Sequence, residues 1–250
     1  MNFTANIKDE YKYFISGSTS VFLSKLFTYP LDRIRLINQT NQKNYKFFDI
    51  FYKEGVKGYF KNFYTIGLIN FPKAGLTFTM LNYSKNNLEL NPFLSGICAG
   101  SISGSLFFPF EMNNIKKIYN LKSDNFKSYK IWEINNLKKI IKLYSLHLSG
   151  IQMYYGLNFG FFNYIKKFTK DYGMIGTFVS GVIAEYCTVL ITFPIDTIRK
   201  RLIVDYSESL YKNLYKGFKY SLIKSPISCG LFYVLSEFIL NSINNKNSKF

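Results

Sequence analysis

The sequence predicts an all-α membrane protein with six transmembrane helices in three similar repeats, each made of two spans and a short surface helix. One motif, a proline followed two residues later by a carboxylate, occurs at Pro30, Pro109 and Pro194, with spacings of 79 and 85 residues. Each copy ends a largely apolar stretch. Recurrence at a near-constant period is the mark of internal repeats. The predicted repeats, within one transmembrane domain, are 1–90, 91–171 and 172–250.

Six apolar stretches are long enough to cross a hydrocarbon core, which takes about 20 residues. Phe93–Phe110 and Leu143–Ile165 contain no Asp, Glu, Lys or Arg. Three further stretches contain one charge each, which is tolerated when it faces a bundle interior or an aqueous cavity. They are Tyr13–Leu31, Asn62–Ser84 and Tyr172–Ile195. The sixth stretch, Gly217–Leu240, is less apolar and contains three charged residues.

The segments between paired spans are polar and basic, and we expect them to lie on the membrane surface. They fall near residues 40–60, 120–140 and 204–216. An even number of spans places both termini on the same side of the membrane.

The net charge of +17, from 32 basic and 15 acidic residues, favours contact with anionic lipid or an anionic cargo. Nucleic-acid binding would require a basic helix face or a binding motif, and the sequence has neither. The cysteines lack the spacing of metal ligands or disulfides, and no nucleophile has a base in register. We therefore expect no nucleic-acid partner, no metal, no cofactor and no enzymatic activity. A soluble basic helical protein is disfavoured by the charge-free stretches.

The residues around the prolines resemble the mitochondrial carrier family, whose repeats carry the pattern proline-x-acid-x-x-base-x-base. Residues 194–201 match this pattern in full, whereas Ile37 replaces the second base of the first repeat and Asn114 replaces the first base of the second. The resemblance covers nearly the whole chain. It implies a monomeric, multi-pass solute carrier of the mitochondrial inner membrane that works by alternating access, with both termini on the intermembrane-space side.

The resemblance also implies a matrix gate beyond the prolines. Proline inside a helix removes a backbone hydrogen bond and kinks the helix, so the three prolines are predicted kinks that bring the helix ends together. In the family, the acid of each repeat then pairs with the base of the next. The expected pairs are Glu111 with Arg199, Asp196 with Arg35, and Asp32 with Asn114, with Gln39 bracing the network from below.

A second, outer gate is implied on the even-numbered spans, where the family carries aromatic-acid-x-x-base. Its candidate residues are Asn82, Lys85, Asn163, Lys166 and Glu237, with Ser236 as a one-residue alternative to the last. One ion pair, Glu237 with Lys85, and a hydrogen bond from Asn82 to Lys166 are expected. Because mutual pairs stabilise each closed state, we expect the state closed to the matrix to be favoured at rest.

Cargo contacts are implied between the gates, near the midplane. The second contact falls on Gly150 and Ile151, a pair typical of carriers for adenine nucleotides and adenine-containing cofactors, and Tyr154 lies on the same face and could stack on a base. Lys25 aligns with a lysine that ADP/ATP carriers use toward substrate phosphate. A cation at this depth costs roughly 3 kcal/mol on insertion scales, which favours a functional role.

The remaining candidate residues for cargo contact differ more from the residues of known family members. The first contact falls on Ile69 with Asn70 beside it, where ADP/ATP carriers have arginine, so an orthodox ADP/ATP exchanger is not expected. The third falls on Lys224, or on Ile223 if the last helix is shifted by one residue. Glu185 could pair with the lysine of the first span, contact a cationic cargo, or couple transport to a proton.

The leading expectation is therefore a carrier for a small adenine-containing or phosphorylated anion. A carrier for a cationic or amine-bearing cofactor such as S-adenosylmethionine is one alternative, and a carrier-fold receptor or adaptor that no longer transports is another. Helix N-termini with a nearby lysine can bind a lipid phosphate, and in this family the lipid is cardiolipin. The candidate lipid contacts are Lys61, Lys142, Lys216 and Gly217.

Overall fold

The computed structural model describes residues 3–40, 46–60, 63–120, 137–204 and 210–247. This part of the chain is almost entirely α-helical. The helices are α1 (Phe3–Thr40), α2 (Phe47–Tyr59), α3 (Phe63–Asn86), α4 (Pro92–Asn120), α5 (Leu137–Thr169), α6 (Gly173–Ile203) and α7 (Phe218–Asn247). A single 3₁₀ turn, Lys170–Tyr172, joins α5 to α6.

Each apolar stretch predicted as a span lies within one long helix, apart from the first residue of three of them. The helices run further than the stretches do. For example, α1 continues through Pro30 as far as Thr40, beyond the predicted end of its span at Leu31. An apolar pattern locates the part of a helix that can meet hydrocarbon, whereas the helix itself can continue into polar sequence.

By length and composition, three helical stretches of the described chain are apolar enough to cross a membrane. They are Pro92–Lys116, Ile140–Ile203, which contains two successive helices, and Phe218–Ile243. Helices α1 and α3 are not among them. Both contain polar side chains that are buried inside the protein, such as Ser16 and Thr28 in α1 and Lys73 in α3, and these lower the mean hydropathy of the helix.

The six long helices of the described chain form a closed ring. Each packs against its neighbour in chain order, from α1 and α3 through to α7, and α7 packs against α1. Such a ring has an outer face and an interior.

The two faces of the ring differ in polarity. Large apolar side chains are exposed on the outside, including Phe27, Leu68, Leu106 and Ile175, which are 67, 59, 60 and 73% exposed. Inside, hydroxyl, amide and charged groups are buried. Water-soluble proteins show the opposite tendency, while hydrocarbon requires apolar side chains on the outside and satisfied polar groups within.

The three motif prolines lie inside α1, α4 and α6, which remain helical beyond them. These three helices also contact one another across the ring. An apolar cluster drawn mainly from residues after the prolines lies between them; its buried members are Leu36, Phe108, Met112, Ile115, Leu143 and Ile203. The proline-containing helices therefore converge at the end of the ring that follows the prolines.

Glycines thirteen residues before each proline allow three close helix contacts. A Cβ atom at Gly96 of α4 would lie 2.4 Å from the carbonyl oxygen of Tyr155 in α5. At Gly17 of α1 it would lie 2.5 Å from the Cβ of Phe78 in α3, and at Gly181 of α6 it would lie 2.7 Å from a tyrosine ring in α7. Small residues let helix backbones approach closely in membranes. The same position in each predicted repeat thus joins its two long helices.

The predicted surface segments have different outcomes. Segment 40–60 contains α2, which begins where the backbone N–H of Lys46 donates to Asp49 Oδ2 at 2.7 Å. Most of segment 120–140 lies outside the described residues. In the third segment, residues 210–217 form turns instead of the predicted helix.

Hydrogen bonds from Arg201 of α6 explain why residues 210–217 do not form a helix. The Arg201 guanidinium donates hydrogen bonds to the carbonyl oxygens of Leu210, Lys212 and Asn213, at 3.1, 2.6 and 3.2 Å. These carbonyls are therefore drawn toward a side chain on α6. Asn213 also has a φ of 51°, outside the helical region.

Candidate functional site

The interior of the ring contains three adjoining cavities of about 190, 250 and 200 Å³. Glu111 and Lys224 line all three, so we treat them as one space and call it the central cavity. Every residue that the sequence indicated as a cargo contact lines it. These residues are Lys25, Ile69, Asn70, Gly150, Ile151, Tyr154, Glu185 and Lys224.

Three of the lysines that line the central cavity come from α1, α3 and α7. Lys73 of α3 forms a salt bridge with Glu111 of α4, and Lys224 Nζ lies 2.9 Å from Asp32 Oδ1 of α1. Lys25 of α1 lines the same space and has no hydrogen bond or salt bridge to any described residue. An ammonium group with no carboxylate bound to it is available for an anionic ligand.

The register of α7 is settled by this arrangement. Lys224 lines the central cavity, whereas Ile223 is 55% exposed. Of the two candidates for the third contact, Lys224 therefore faces the interior.

Glu185 is held by neutral donors. The Tyr154 hydroxyl lies 3.0 and 2.8 Å from its two oxygens, and Asn158 Nδ2 donates to Oε2 at 2.7 Å. The Tyr233 hydroxyl donates to Asn158 Oδ1 at 2.7 Å, which fixes the orientation of that amide. The salt bridge considered between Glu185 and Lys25 is not formed, because the carboxylate is turned toward α5.

Gly150 and Ile151 have different surroundings. Gly150 lines the central cavity, and a Cβ atom there would lie 3.3 Å from Ile195 Cγ2. Ile151 packs its side chain against Gly104 of α4 and is 6% exposed. A small residue at position 150 thus leaves a narrow slot beside an aliphatic side chain.

The predicted matrix-gate residues meet just beyond the prolines. Gln39 of α1 donates to Asp196 Oδ2 at 3.3 Å and to Thr197 Oγ1 at 3.1 Å, and its own oxygen accepts from Lys200 Nζ at 2.9 Å. Arg35 Nη2 lies 3.7 Å from Asp196 Oδ2, which is the expected partner. Gln39 is fully buried, so these bonds connect α1 to α6 inside the protein.

Two other expected gate pairs differ in the structure. Glu111 is bound to Lys73 instead of Arg199, and Asp32 is bound to Lys224 instead of Asn114. Both lysines come from even-numbered positions in the helix ring, whereas the family scheme takes its bases only from the proline-containing helices. The lysines are closer because they project into the cavity beside these carboxylates.

Arg199, which was expected to pair with Glu111, contacts two other side chains. Arg199 Nη2 lies 3.0 Å from Asp196 Oδ1, one turn earlier on the same helix, and Arg199 Nη1 lies 3.3 Å from His147 Nδ1. His147 Nε2 lies 3.2 Å from the carbonyl oxygen of Gly104. His147 is thus a buried polar residue that joins α5 to α4 and α6.

All five predicted outer-gate residues line a fourth cavity of about 200 Å³. Lys166 Nζ lies 3.3 Å from Glu237 Oε2, and the Thr177 hydroxyl donates to the same oxygen at 2.7 Å. The expected pair of Glu237 with Lys85 is not formed. The amide of Asn82 does not reach Lys166, because it donates to the carbonyl of Phe78 on its own helix.

Asn163 behaves in the same way. Its amide donates to the carbonyl of Phe159 on its own helix, at 2.8 Å. The rings of Phe162 and Tyr233 stack between these polar groups, with centroids 3.5 Å apart. The carboxylate of Glu237, not the hydroxyl of Ser236, takes the ionic contact at this end.

The candidate lipid contacts are dispersed. Lys142 is exposed near the start of α5, and Gly217 precedes α7 with a φ of 84°, where a Cβ atom would lie 3.2 Å from the carbonyl oxygen of Arg35. Lys216 precedes this glycine. Lys61 lies outside the described residues.

Sequence reasoning missed four residues of the site. Lys73 was noted only as a tolerated charge, and Lys200, Asn158 and Tyr233 were not assigned. Helical spacing could have found Asn158, because it lies one turn after Tyr154 on the same face. Lys200 also lies one turn after Asp196 on the same helix, whereas Lys73 and Tyr233 are recognised only when their partners on other helices are known.

The described helices form a closed ring that is apolar outside, charged inside and crossed by polar networks at both ends, as expected of a carrier in a membrane. Residues 8–92 match the family model described as mitochondrial carrier protein.

Several known proteins are similar to this chain. Mitochondrial substrate carrier family protein C of Dictyostelium discoideum is 25% identical, over 98% of this chain and 58% of the relative. Protein P of the same organism is 23% identical, over 78% of this chain and 74% of the relative. Mitochondrial thiamine pyrophosphate carrier 1 of Candida albicans is 24% identical, over 92% of this chain and 91% of the relative. Over most of its length the chain is thus similar to proteins of the mitochondrial carrier family, and it spans 58% of the length of the first of these relatives.

Proposed function

We propose that this chain carries a small phosphorylated anion across the mitochondrial inner membrane by alternating access. The six long helices are the spans, grouped as three repeats with the boundaries 1–90, 91–171 and 172–250, and both termini lie on the intermembrane-space side. The apolar outer face of the ring and the equivalent glycine contacts in the three repeats support this arrangement. The protein works as a monomer, since the ring encloses a complete cavity.

The charge of the central cavity carries the assignment to anions. Its lining contains seven lysine or arginine residues but four aspartate or glutamate residues. An excess of cations in a low-dielectric interior is costly unless an anion enters. Lys25, which has no carboxylate bound to it, is the first contact for a cargo phosphate.

The class of cargo is an adenine-containing or phosphorylated metabolite or cofactor. Gly150 and Ile195 line the central cavity side by side, where the glycine presents no side chain and the isoleucine an apolar surface to a flat ring. Two relatives bear the name thiamine pyrophosphate carrier, and that compound combines flat rings with a pyrophosphate. These features support a phosphorylated cofactor as the cargo.

The two polar networks act as the gates. Gln39, Arg35 and Asp196 close the matrix end, and Lys166 with Glu237 closes the outer end. Cardiolipin phosphate is held by Lys142 and by Lys216 and Gly217 at the start of α7, since a helix N-terminus with a lysine beside it attracts a phosphate.

Binding and uptake measurements test the cargo assignment. The purified protein is screened for thermal stabilisation by ATP, ADP, thiamine pyrophosphate, S-adenosylmethionine and a keto acid, and the best ligand is then followed into cardiolipin-containing liposomes. We expect phosphorylated compounds to stabilise the protein, because bound ligand adds its binding free energy to the folded state. Lys25→Gln should abolish most of the shift, whereas Lys167→Gln, at an exposed position on α5, should leave it unchanged. Stabilisation by the keto acid alone would contradict the assignment.

A carrier-fold receptor or adaptor is the competing function. It is favoured by Asn82 and Asn163, which bind their own helices instead of completing an outer ring of ion pairs. The liposome experiment separates the two, because a receptor gives no uptake with any compound.

A further inference from the structure

We propose that the cargo is bipolar, with a phosphate group bound near Lys25 and a positively charged nitrogen group bound by Glu185. This inference rests on the proposed function and narrows it to one chemical class. It follows from the state of Glu185 in the central cavity.

Glu185 is a buried carboxylate with no counter-ion. It is 5% exposed, and no lysine or arginine of the described chain forms a salt bridge with it. Its hydrogen bonds come from a phenol and an amide, both neutral. No described lysine or arginine thus lies within salt-bridge distance, in a region where an unpaired charge is costly.

The carboxylate also has room for a further ligand. An ionised carboxylate offers about four acceptor sites, and Tyr154 and Asn158 together donate two protons. Glu185 lines two of the three cavities that form the central space. The asparagine is fixed in turn by Tyr233, whose hydroxyl donates to Asn158 Oδ1, so the acceptor is held in place before any cargo arrives.

The opposite charge lies across the same space. Lys25 and Glu185 line the same cavity of about 250 Å³. The other acidic groups of the central cavity each have a basic partner: Asp32 has Lys224, Glu111 has Lys73, and Asp196 has Lys200. Among the described residues that line the central cavity, Lys25 and Glu185 are thus the two charged groups without a salt bridge, and a ligand with both charges neutralises both.

A cargo that carries only negative charge fits this site less well. Its phosphate would gain from Lys25 but would be repelled by Glu185 in the same low-dielectric space. The carboxylate therefore selects among phosphorylated compounds and favours those with a cationic ring or amine.

The test compares two ligands that differ only in this charge. Thiamine pyrophosphate contains a cationic thiazolium ring, and its deaza analogue contains a neutral thiophene ring of the same shape. We expect the protein in detergent to bind the cationic compound about tenfold more tightly, which corresponds to about 1.4 kcal/mol. Glu185→Gln should remove this preference and leave the neutral analogue bound as well as before or better. Asp171→Asn, at an exposed position between α5 and α6, should keep it.

The outcomes are distinct. If neither compound binds, the proposed function fails and this inference fails with it. If both bind equally to the unaltered protein, the bipolar site is wrong while anion transport stands. If both bind equally and uptake depends on a pH gradient that Glu185→Gln abolishes, the carboxylate is a proton site, and the inference is overturned in favour of that role.

Discussion

Arg33 ties α1 to α2 through a salt bridge in which its Nη2 lies 2.9 Å from Glu54 Oε2. The family pattern places its second base four residues later, where this chain has Ile37, a member of the apolar cluster that covers α2. Positions 33 and 37 are one helical turn apart on the same face. The basic residue that contacts α2 is thus one turn earlier in this chain than the second base of the family pattern. An aliphatic residue occupies the position of that base.

Loss of Glu54 should therefore destabilise the protein more than loss of the whole pair. The Arg33 side chain is 3% exposed, and its Nε and Nη1 atoms have no hydrogen-bond partner among the described residues. Removing one partner leaves a buried charge, whereas removing both leaves none. Because Glu54 is 37% exposed, solvent screens the effect, and we expect Glu54→Gln to cost about 2 kcal/mol.

Thermal unfolding in detergent measures this difference. Arg33→Leu combined with Glu54→Gln should recover most of the lost stability, and Lys57→Gln, at an exposed position on the same helix, should change little. Equal losses for the single and double variants would show that the salt bridge contributes nothing through charge.

At the scale of helices, close approach sets the shape of the ring. The backbones of α4 and α5 meet at Gly96, where no side chain separates them. Further along the same pair, Gly160 of α5 has ordinary spacing, because a Cβ atom there would lie 3.5 Å from Phe93. In this helix pair, close packing thus requires glycine at position 96 but not at position 160.

Gly96→Ala should force α4 away from α5. The added methyl group would lie 2.4 Å from a backbone oxygen, which cannot turn aside as a side chain can. Overpacking of this kind costs typically about 1–3 kcal/mol. Gly160→Ala should be neutral or slightly stabilising, because alanine favours helix more than glycine does by about 1 kcal/mol.

Melting temperatures of the two variants, measured under the same detergent conditions, give the comparison. A loss of stability in both would mean that glycine is needed for helix flexibility instead of close packing. The unaltered protein and a variant with a substitution at an exposed position serve as controls for the melting temperature.

Most of the helices could be predicted from the sequence, because each apolar stretch records which residues can meet hydrocarbon. Their ends could not, since α1 stays helical for nine residues after Leu31. The turn at 210–217 was also missed, because it depends on Arg201, which lies on a different helix. Local pattern predicts local structure, and it fails where a distant side chain supplies the hydrogen bonds.

Across the whole molecule, the candidate cargo residues could be predicted but several of their partners could not. All eight line the central cavity, because repeat spacing fixes which helix faces point inward. The partners of Glu111 and Asp32 depend on how far Lys73 and Lys224 extend across the ring. Distances between helices follow from how the helices pack. They cannot be read from the spacing of residues along one helix.

The central cavity is bounded beyond the prolines by the network around Gln39, which we propose as the matrix gate, so weakening that network should open the cavity on this side. Gln39→Ala removes three hydrogen bonds between α1 and α6, one of them to the ammonium group of Lys200. Bonds of this kind contribute about 0.5–1.5 kcal/mol each and more to charged groups. A shift of about 1.4 kcal/mol changes the ratio of closed to open states by about tenfold.

Cys229 reports this change, because it lines the central cavity. With Cys98 and Cys187 replaced by serine, a charged thiol reagent added to one side of proteoliposomes can reach Cys229 only through an open end. Gln39→Ala should raise the modification rate about tenfold from the matrix-equivalent side and leave the other side unchanged. Gln152→Ala, which removes one hydrogen bond between α4 and α5, should alter neither rate. Faster modification from the opposite side alone would place the Gln39 network at the wrong end, because releasing a barrier can expose the cavity only where that barrier stood.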